Sequence, residues 1–233
     1  MKILKTFLFA VSLLMFAKVS MADNANFAGP YVGFNGTAIG ADFEGKGVST
    51  AGDEDTVDVV HIGRTALISG AEVGYALPLG DSFLIDVGAV MNWGAAKLKT
   101  SNSGGAATVG SGNVTMEIKD HWTIYIAPTV SLTDTSSAYI KWGLSEADLT
   151  VTGDVTHPGN LSGETFAIGL RTVLDSGIFI RSEAGVTDYN EISAHGKGSA
   201  PNSGGTSMSI ATTTSYSANP GAAYGMISLG FRF

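Results

Sequence analysis

Alternation with a period of two, repeated along almost the whole chain, commits this sequence to extended structure. Eight segments carry it, each bounded by turn-forming residues: Pro30–Ala41, Val59–Leu77, Phe83–Lys97, Val114–Leu132, Ala138–Val151, Thr165–Leu174, Ile178–Tyr189 and Ile210–Phe233. One parity in these segments is uncharged. It holds Ala71, Val73, Tyr75 and Leu77 in the second, and Phe83, Ile85, Val87, Ala89, Met91 and Trp93 in the third. The fourth adds Trp122, Ile124, Ile126, Val130 and Leu132, with Pro128 among them, and the fifth Ile140, Trp142 and Leu144. The sixth adds Phe166, Ile168 and Leu170, and the last Ile227, Leu229, Phe231 and Phe233. All three tryptophans fall on this parity. Aromatics stand at both ends of the stripes, Trp93 and Trp122 at one and Tyr75, Phe83 and Phe233 at the other, as in the interfacial girdles of a membrane barrel.

The connections separate a barrel from a soluble sandwich. Pro78–Ser82, Thr133–Ser137 and Asp175–Gly177 are short turns. Phe43–Asp58, Leu98–Asn113, Thr152–Glu164 and Asn190–Ser209 are longer and rich in Gly, Ser, Asn and Thr. Short and long links alternate strictly, which predicts short periplasmic turns and long external loops. The expected fold is all-β, an eight-stranded antiparallel up-and-down transmembrane β-barrel. Glycine, 31 of 233 residues, is about twice its usual share and suits bends and close packing in a curved sheet.

The N-terminus supplies the address. Lys2 and Lys5 precede an apolar run, Phe7–Phe16, and Ser20-Met21-Ala22 offers small residues for cleavage. The run is shorter than the roughly 20 residues of a spanning helix. The expectation is a cleaved signal peptide over residues 1–22 and a single outer-membrane barrel domain over 23–233. Losing Lys2, Lys5 and Lys18 with no acid takes the formal charge from −8 to −11. That balance speaks against nucleic acid, whose phosphates call for clustered Lys and Arg. The chain has no cysteine, so no disulfide holds an exported fold together.

The second parity carries the one chemical constellation: Glu72, Asp86, Asn92, Thr123, Tyr125, Lys141, Arg171, Arg181 and Glu183. In an eight-stranded barrel it faces a narrow interior that side chains just fill. Asp86, Lys141, Arg171 and Arg181 lie three residues from the periplasmic ends of their strands, and Glu72 and Glu183 five. Three cations and three anions thus fall within about one and a half layers, at roughly 3.3 Å per residue. A lone charge there is very costly, whereas a paired and hydrogen-bonded one is tolerated. The expected lumenal charge network is Glu72, Asp86, Lys141, Arg171, Arg181 and Glu183, closing the bore to large solutes. The alternative is a narrow ion path lined by the same groups.

The start Gly29-Pro30-Tyr31-Val32-Gly33, the eight-strand layout and the closing Leu229-Gly230-Phe231-Arg232-Phe233 resemble the OmpA-like outer-membrane β-barrel superfamily, in its barrel domain only. The resemblance implies a Gram-negative outer membrane, with outer-membrane lipids and lipopolysaccharide around the barrel. It implies periplasmic chaperones and the barrel-assembly machinery as partners in biogenesis, and a monomer. Phe231 and Phe233 match the hydrophobic positions of the C-terminal assembly signal, while Ser228 stands where a glycine is usual. Structural surface proteins, adhesion factors and narrow pores are the activities it implies.

Other candidates are weaker. His61, His121, His157 and His195 lack metal-binding spacing. The acidic run Gly52-Asp53-Glu54-Asp55, with Asp58 beyond it, lacks the ordered ligands of a dedicated calcium loop and reads as solvated. His121 with Thr123 and Glu117 on one parity is the nearest approach to a catalytic set, and it has no adjacent serine in the strand. The low-complexity stretches Ser101–Gly112 and Ser199–Ser217 offer a partner little apolar surface. The reading is a non-enzymatic integral outer-membrane protein without cofactor, with an envelope-stabilising and surface-presenting role. The alternatives are a narrow passive pore and an adhesin or binding barrel.

Overall fold

Lipid offers no hydrogen bonds, so strands with apolar outward faces must satisfy their main chains by closing into a ring. The computed structural model describes residues 24–51, 54–99, 115–152, 156–174, 176–195 and 213–233. After a 3-10 turn at Asn24–Asn26 come β1 (Gly29–Ala51), β2 (Glu54–Pro78), β3 (Phe83–Lys99), β4 (Thr115–Ser131) and β5 (Ser136–Thr152). β6 (Leu161–Val173), β7 (Ile178–Tyr189), β8 (Ile192–His195) and β9 (Thr213–Arg232) follow. β1 to β7 pair in sequence, β9 pairs with β7, and β9 returns to β1 from Tyr31↔Arg232 to Thr50↔Thr213. All pairings are antiparallel. Eight strands, β1–β7 and β9, close the expected barrel. β8 is an added outer strand on the external part of β9, from Ile192↔Ala218 to His195↔Ser215.

The expected signal peptide, residues 1–22, lies wholly outside the described residues, as do 52–53, 100–114, 153–155 and 196–212 of the external links. One link is corrected. Phe43–Asp58, expected as a loop, is mostly strand, because β1 and β2 stay in unbroken register up to Ala51↔Glu54. Two residues, Gly52-Asp53, separate the strands in sequence. Beyond Asp42, the level at which β7 ends against β9, β1 runs on for roughly 30 Å of strand. The expected Asn190–Ser209 loop likewise contains β8.

The apolar parity faces outward. Phe34, Leu67, Ile168, Ile227 and Leu229 are each at least 60% exposed. Val130 shares the parity but is covered. Among the described residues no helix is long and apolar enough to cross a membrane; a barrel crosses with strands.

Among the described residues, β4 holds the one change of phase. Asp120 takes φ 52° and Gly94, near it on β3, φ 131°. The register slips by one between Asn92 and Ala95 on β3, and between Lys119 and Trp122 against β5. This is a β-bulge, which turns the residues beyond it to the other face. Asp tolerates the left-handed conformation better than most residues because its short side chain bonds locally. Ile118 therefore points into the barrel and Glu117 out of it, while His121 and Thr123 point in.

Candidate functional site: the barrel lumen

Four layers fill the lumen. At the periplasmic end is an apolar floor of Phe27, Tyr31, Ala76, Leu84, Val173 and Phe179. Phe27 belongs to no strand; the segment before β1 folds across the mouth and buries it completely. Arg232 holds that segment, Nη1 donating to the carbonyls of Ala28 (3.1 Å) and Ala25 (3.2 Å), and Asn26 Nδ2 donates to the Asp134 carbonyl (2.9 Å).

The charged residues come next. All six expected members, Glu72, Asp86, Lys141, Arg171, Arg181 and Glu183, are buried there. Arg171 pairs with Asp86, and Lys141 with Glu183. Arg181 Nη1 lies 2.6 Å from Glu72 Oε2, and its Nη2 3.5 Å from Asp86 Oδ2. Asp86 on β3 and Arg171 on β6 are three strands apart around the ring, as are Glu72 on β2 and Arg181 on β7. The pairs span the bore instead of decorating its wall.

Four tyrosines complete the layer. Tyr31 and Tyr125 share a hydroxyl hydrogen bond of 2.7 Å, and Arg181 Nη1 donates to Tyr125 at 3.2 Å. Tyr139 and Tyr224 donate to the two carboxylate oxygens of Glu183, both at 2.7 Å. The Arg181 guanidinium stands 5.0 Å from the Tyr31 ring and 5.2 Å from the Tyr139 ring, and Lys141 Nζ 4.8 Å above Tyr125. These contacts place cations on ring faces, where the quadrupole attracts them.

Each ring has room because a glycine stands opposite. Gly74 faces Tyr31, Gly88 faces Tyr125, Gly169 faces Tyr139, Gly185 faces Tyr224 and Gly230 faces Phe179, all directly paired across neighbouring strands. A Cβ on any of these glycines would run into the ring. Sequence reasoning placed Tyr125 on the lumenal parity and passed over the others. The signal was the lumenal parity shared by Tyr31, Tyr139 and Tyr224, since a buried phenol needs a polar partner.

Above the charges runs a belt of hydroxyls: Thr123 to Ser145 (2.7 Å), Ser145 to Thr165 (2.6 Å) and Thr165 to Thr187 (2.7 Å). It crosses β4, β5, β6 and β7 in one row. Over it sits an apolar cluster at the external end that includes Ile39, Phe43, Ile118, Leu149, Leu161 and Tyr189.

The other candidates separate. Glu117, expected beside His121, lies on the opposite face and pairs with Lys97 at 3.7 Å, because the bulge intervenes. Thr123 hydrogen-bonds Ser145, a cross-strand serine not foreseen, and neither ring nitrogen of His121 has a hydrogen-bond partner. His157 Nδ1 accepts from the Gly159 amide at 3.0 Å, and His195 ends β8. Of the acidic run, Gly52 and Asp53 lie outside the described residues, while Glu54, Asp55 and Asp58 belong to β2. Among the described residues no group of three or more His, Cys, Asp or Glu is placed to hold a metal ion. Phe231 and Phe233 face outward with their rings edge to face at 5.3 Å. The Phe233 amide donates to the Pro30 carbonyl at 3.0 Å, tying the last residue to β1.

No protein-family model and no curated protein matches this sequence. Solved structures do. The outer membrane protein OprG from Pseudomonas aeruginosa is 10% identical, with a TM-score of 0.55 over 88% of this chain and 96% of that one. The outer membrane protease OmpT from Escherichia coli is 8% identical, with a TM-score of 0.45 over 88% and 97%. The attachment invasion locus protein Ail of Yersinia pestis, in complex with the heparin analogue sucrose octasulfate, is 9% identical, with a TM-score of 0.41 over 86% and 99%. At these identities the likeness is one of fold: the chain is a small outer-membrane β-barrel.

Proposed function

We propose that this protein is a non-enzymatic structural barrel of the Gram-negative outer membrane, sealed along its axis and presenting a β-hairpin at the cell surface. One observation carries the reading. Arg171 and Arg181, almost without exposure, reach across the bore to Asp86 and Glu72 between the apolar floor and the belt of hydroxyls. A hydrated pore would leave such side chains in water. Here three cations and three anions neutralise one another, which is the condition under which buried charge is tolerated. The extension of β1 and β2 beyond the rim supports the surface-presenting half of the reading. The set expected around His121 is not assembled, since Thr123 bonds Ser145 and Glu117 pairs with Lys97 on the other face.

Within small barrels, the residues Gly29–Gly33 and Leu229–Phe233 support placement in the OmpA-like superfamily. Residues 1–22 act as the cleaved signal peptide. Lipopolysaccharide and phospholipid contact the outer face, chaperones and the assembly machinery act during biogenesis, and the inserted barrel is a monomer.

Planar-bilayer recording tests the seal. Purified, refolded protein is expected to give no steady conductance steps in 1 M KCl. Regular open states from wild-type protein would replace this reading with that of a narrow passive pore.

A further inference from the structure

The ring closes by pairing its first strand with its last, β1 with β9. That seam is thin in side chains. Gly33↔Gly230, Ala38↔Gly225, Gly40↔Ala223 and Ala41↔Ala222 set glycine or alanine on both strands, and a Cβ on Gly225 would meet nothing within 4 Å. Cross-strand side-chain pairs stabilise a sheet pairing beyond its backbone bonds, so these rows contribute little. No turn of the chain joins β1 to β9 either. The seam is therefore where the ring opens most easily, unless something else crosses it.

The segment before β1 crosses it. Gly29 takes φ 110°, which glycine adopts without a steric cost, and the chain turns there between the periplasmic mouth and β1. Arg232, at the end of β9, reaches the carbonyls of Ala25 and Ala28, 207 and 204 residues away in sequence. The Phe233 amide adds its bond to the Pro30 carbonyl. All three bonds link the end of β9 to the chain at or just before the start of β1. On its far side the segment meets the β4–β5 turn, where Asn26 Nδ2 donates to the Asp134 carbonyl. In a ring of eight strands that turn stands diametrically opposite the seam. Phe27, between these anchors, packs among Tyr31, Ala76, Leu84, Val173 and Phe179, which come from β1, β2, β3, β6 and β7. Its socket is complete only in the closed ring, and Arg232 reaches Ala25 and Ala28 only once β9 lies beside β1.

We propose that residues 24–28 form a latch, a strap that docks after the ring has closed and holds the β1–β9 seam shut from the periplasmic side. Such a device acts on the rate of opening. Contacts absent from the folding transition state slow unfolding and leave the folding rate alone. The latch acts on the wall of the barrel and is independent of whether the bore conducts.

The test is kinetic. Purified protein is refolded into phospholipid vesicles and unfolded by urea jumps, both followed by tryptophan fluorescence. Phe27→Ala is expected to unfold on the order of a hundredfold faster and Arg232→Met roughly tenfold faster, each folding within about twofold of the wild-type rate. Folding slowed by a comparable factor, failure of Arg232→Met to fold, or unchanged unfolding overturns the proposal. A second arm isolates the seam. The chain has no cysteine, so Phe34→Cys and Leu229→Cys, directly opposite across the seam, can be joined by oxidation after folding. With that disulfide formed, Phe27→Ala and Arg232→Met should each change the unfolding rate by less than about twofold, and on reduction the full effects should return. Effects that persist under the disulfide would make the strap a packing element of the floor alone and overturn the proposal likewise.

Discussion

Replacing Arg181 with methionine keeps most of the side-chain volume and removes one lumenal charge. The loss includes the 2.6 Å bond to Glu72, the 3.2 Å bond to Tyr125 and the guanidinium's place over Tyr31 and Tyr139. Arg171 with Asp86 and Lys141 with Glu183 remain as neutral pairs, so Glu72 alone is left without compensation. Breaking a buried pair by removing one partner costs about 3–5 kcal/mol, whereas replacing both partners by neutral groups is often close to neutral. R181M should therefore lose about 3–5 kcal/mol of unfolding free energy. E72Q should lose somewhat less, because Arg181 retains Asp86 at 3.5 Å. The double variant E72Q/R181M should recover about 2 kcal/mol or more over the sum of the singles. Equilibrium urea unfolding in phospholipid vesicles, followed by tryptophan fluorescence, measures this. Trp93, Trp122 and Trp142 all stand on the lipid parity and report loss of the bilayer environment. A coupling below about 0.5 kcal/mol would mean that Arg181 and Glu72 contribute independently, and the network argument would fail.

Three further outcomes follow from packing and position. Gly169→Ala puts a Cβ into the Tyr139 ring and should cost about 1–3 kcal/mol, while Gly36→Ala, whose Cβ meets nothing, should be neutral; the same urea titration compares them. Phe27→Ala empties the fully buried position in the periplasmic floor and should cost about 3 kcal/mol, with new protease cleavage near Ala25 in detergent-solubilised protein. Phe233→Asp places a charge at the exposed end of the lipid-facing stripe and should lower the amount of protein reaching the outer membrane, leaving the urea midpoint of the inserted fraction little changed. Normal surface levels in that variant would remove Phe233 from the assembly signal.

The wall of this barrel was legible because a strand's two faces are encoded locally. Trp93, Ile168 and Leu229 declare the lipid side within their own segments, and period-two alternation needs no knowledge of neighbours. The positions of the lumenal charges were legible for the same reason. Their partners were not: Arg171 and Asp86 are 85 residues apart, and Arg181 and Glu72 are 109. Register, strand tilt and closure bring them together, and none of these is written in either segment. Two errors have local causes. The acidic composition of 53–58 masked a continuing alternation and suggested a loop. The bulge at Asp120 reversed the phase of β4, so Glu117 was assigned to the face of His121.

The glycines join these two levels of information. Counted along the chain they indicate only a curved sheet. In register, five of them stand opposite lumenal aromatics, and four of those aromatics are the tyrosines whose hydroxyls and ring faces hold the charged layer. A glycine on one strand thus creates the room in which a tyrosine on the next can lie flat and reach a carboxylate or guanidinium further round the ring. Glu183 takes two of its bonds from the Tyr139 and Tyr224 hydroxyls, beside its pair with Lys141. The six lumenal charges sum to zero, whereas the formal charge of the whole chain is −8. Asp42, Glu146, Asp148, Glu164 and Asp188 are exposed toward the external ends of their strands. Neutrality is enforced where the dielectric is low, and surplus charge is carried where water or headgroups can solvate it. That division is what the proposed sealed lumen requires, whereas the lining of a conducting one would be free to keep a net charge.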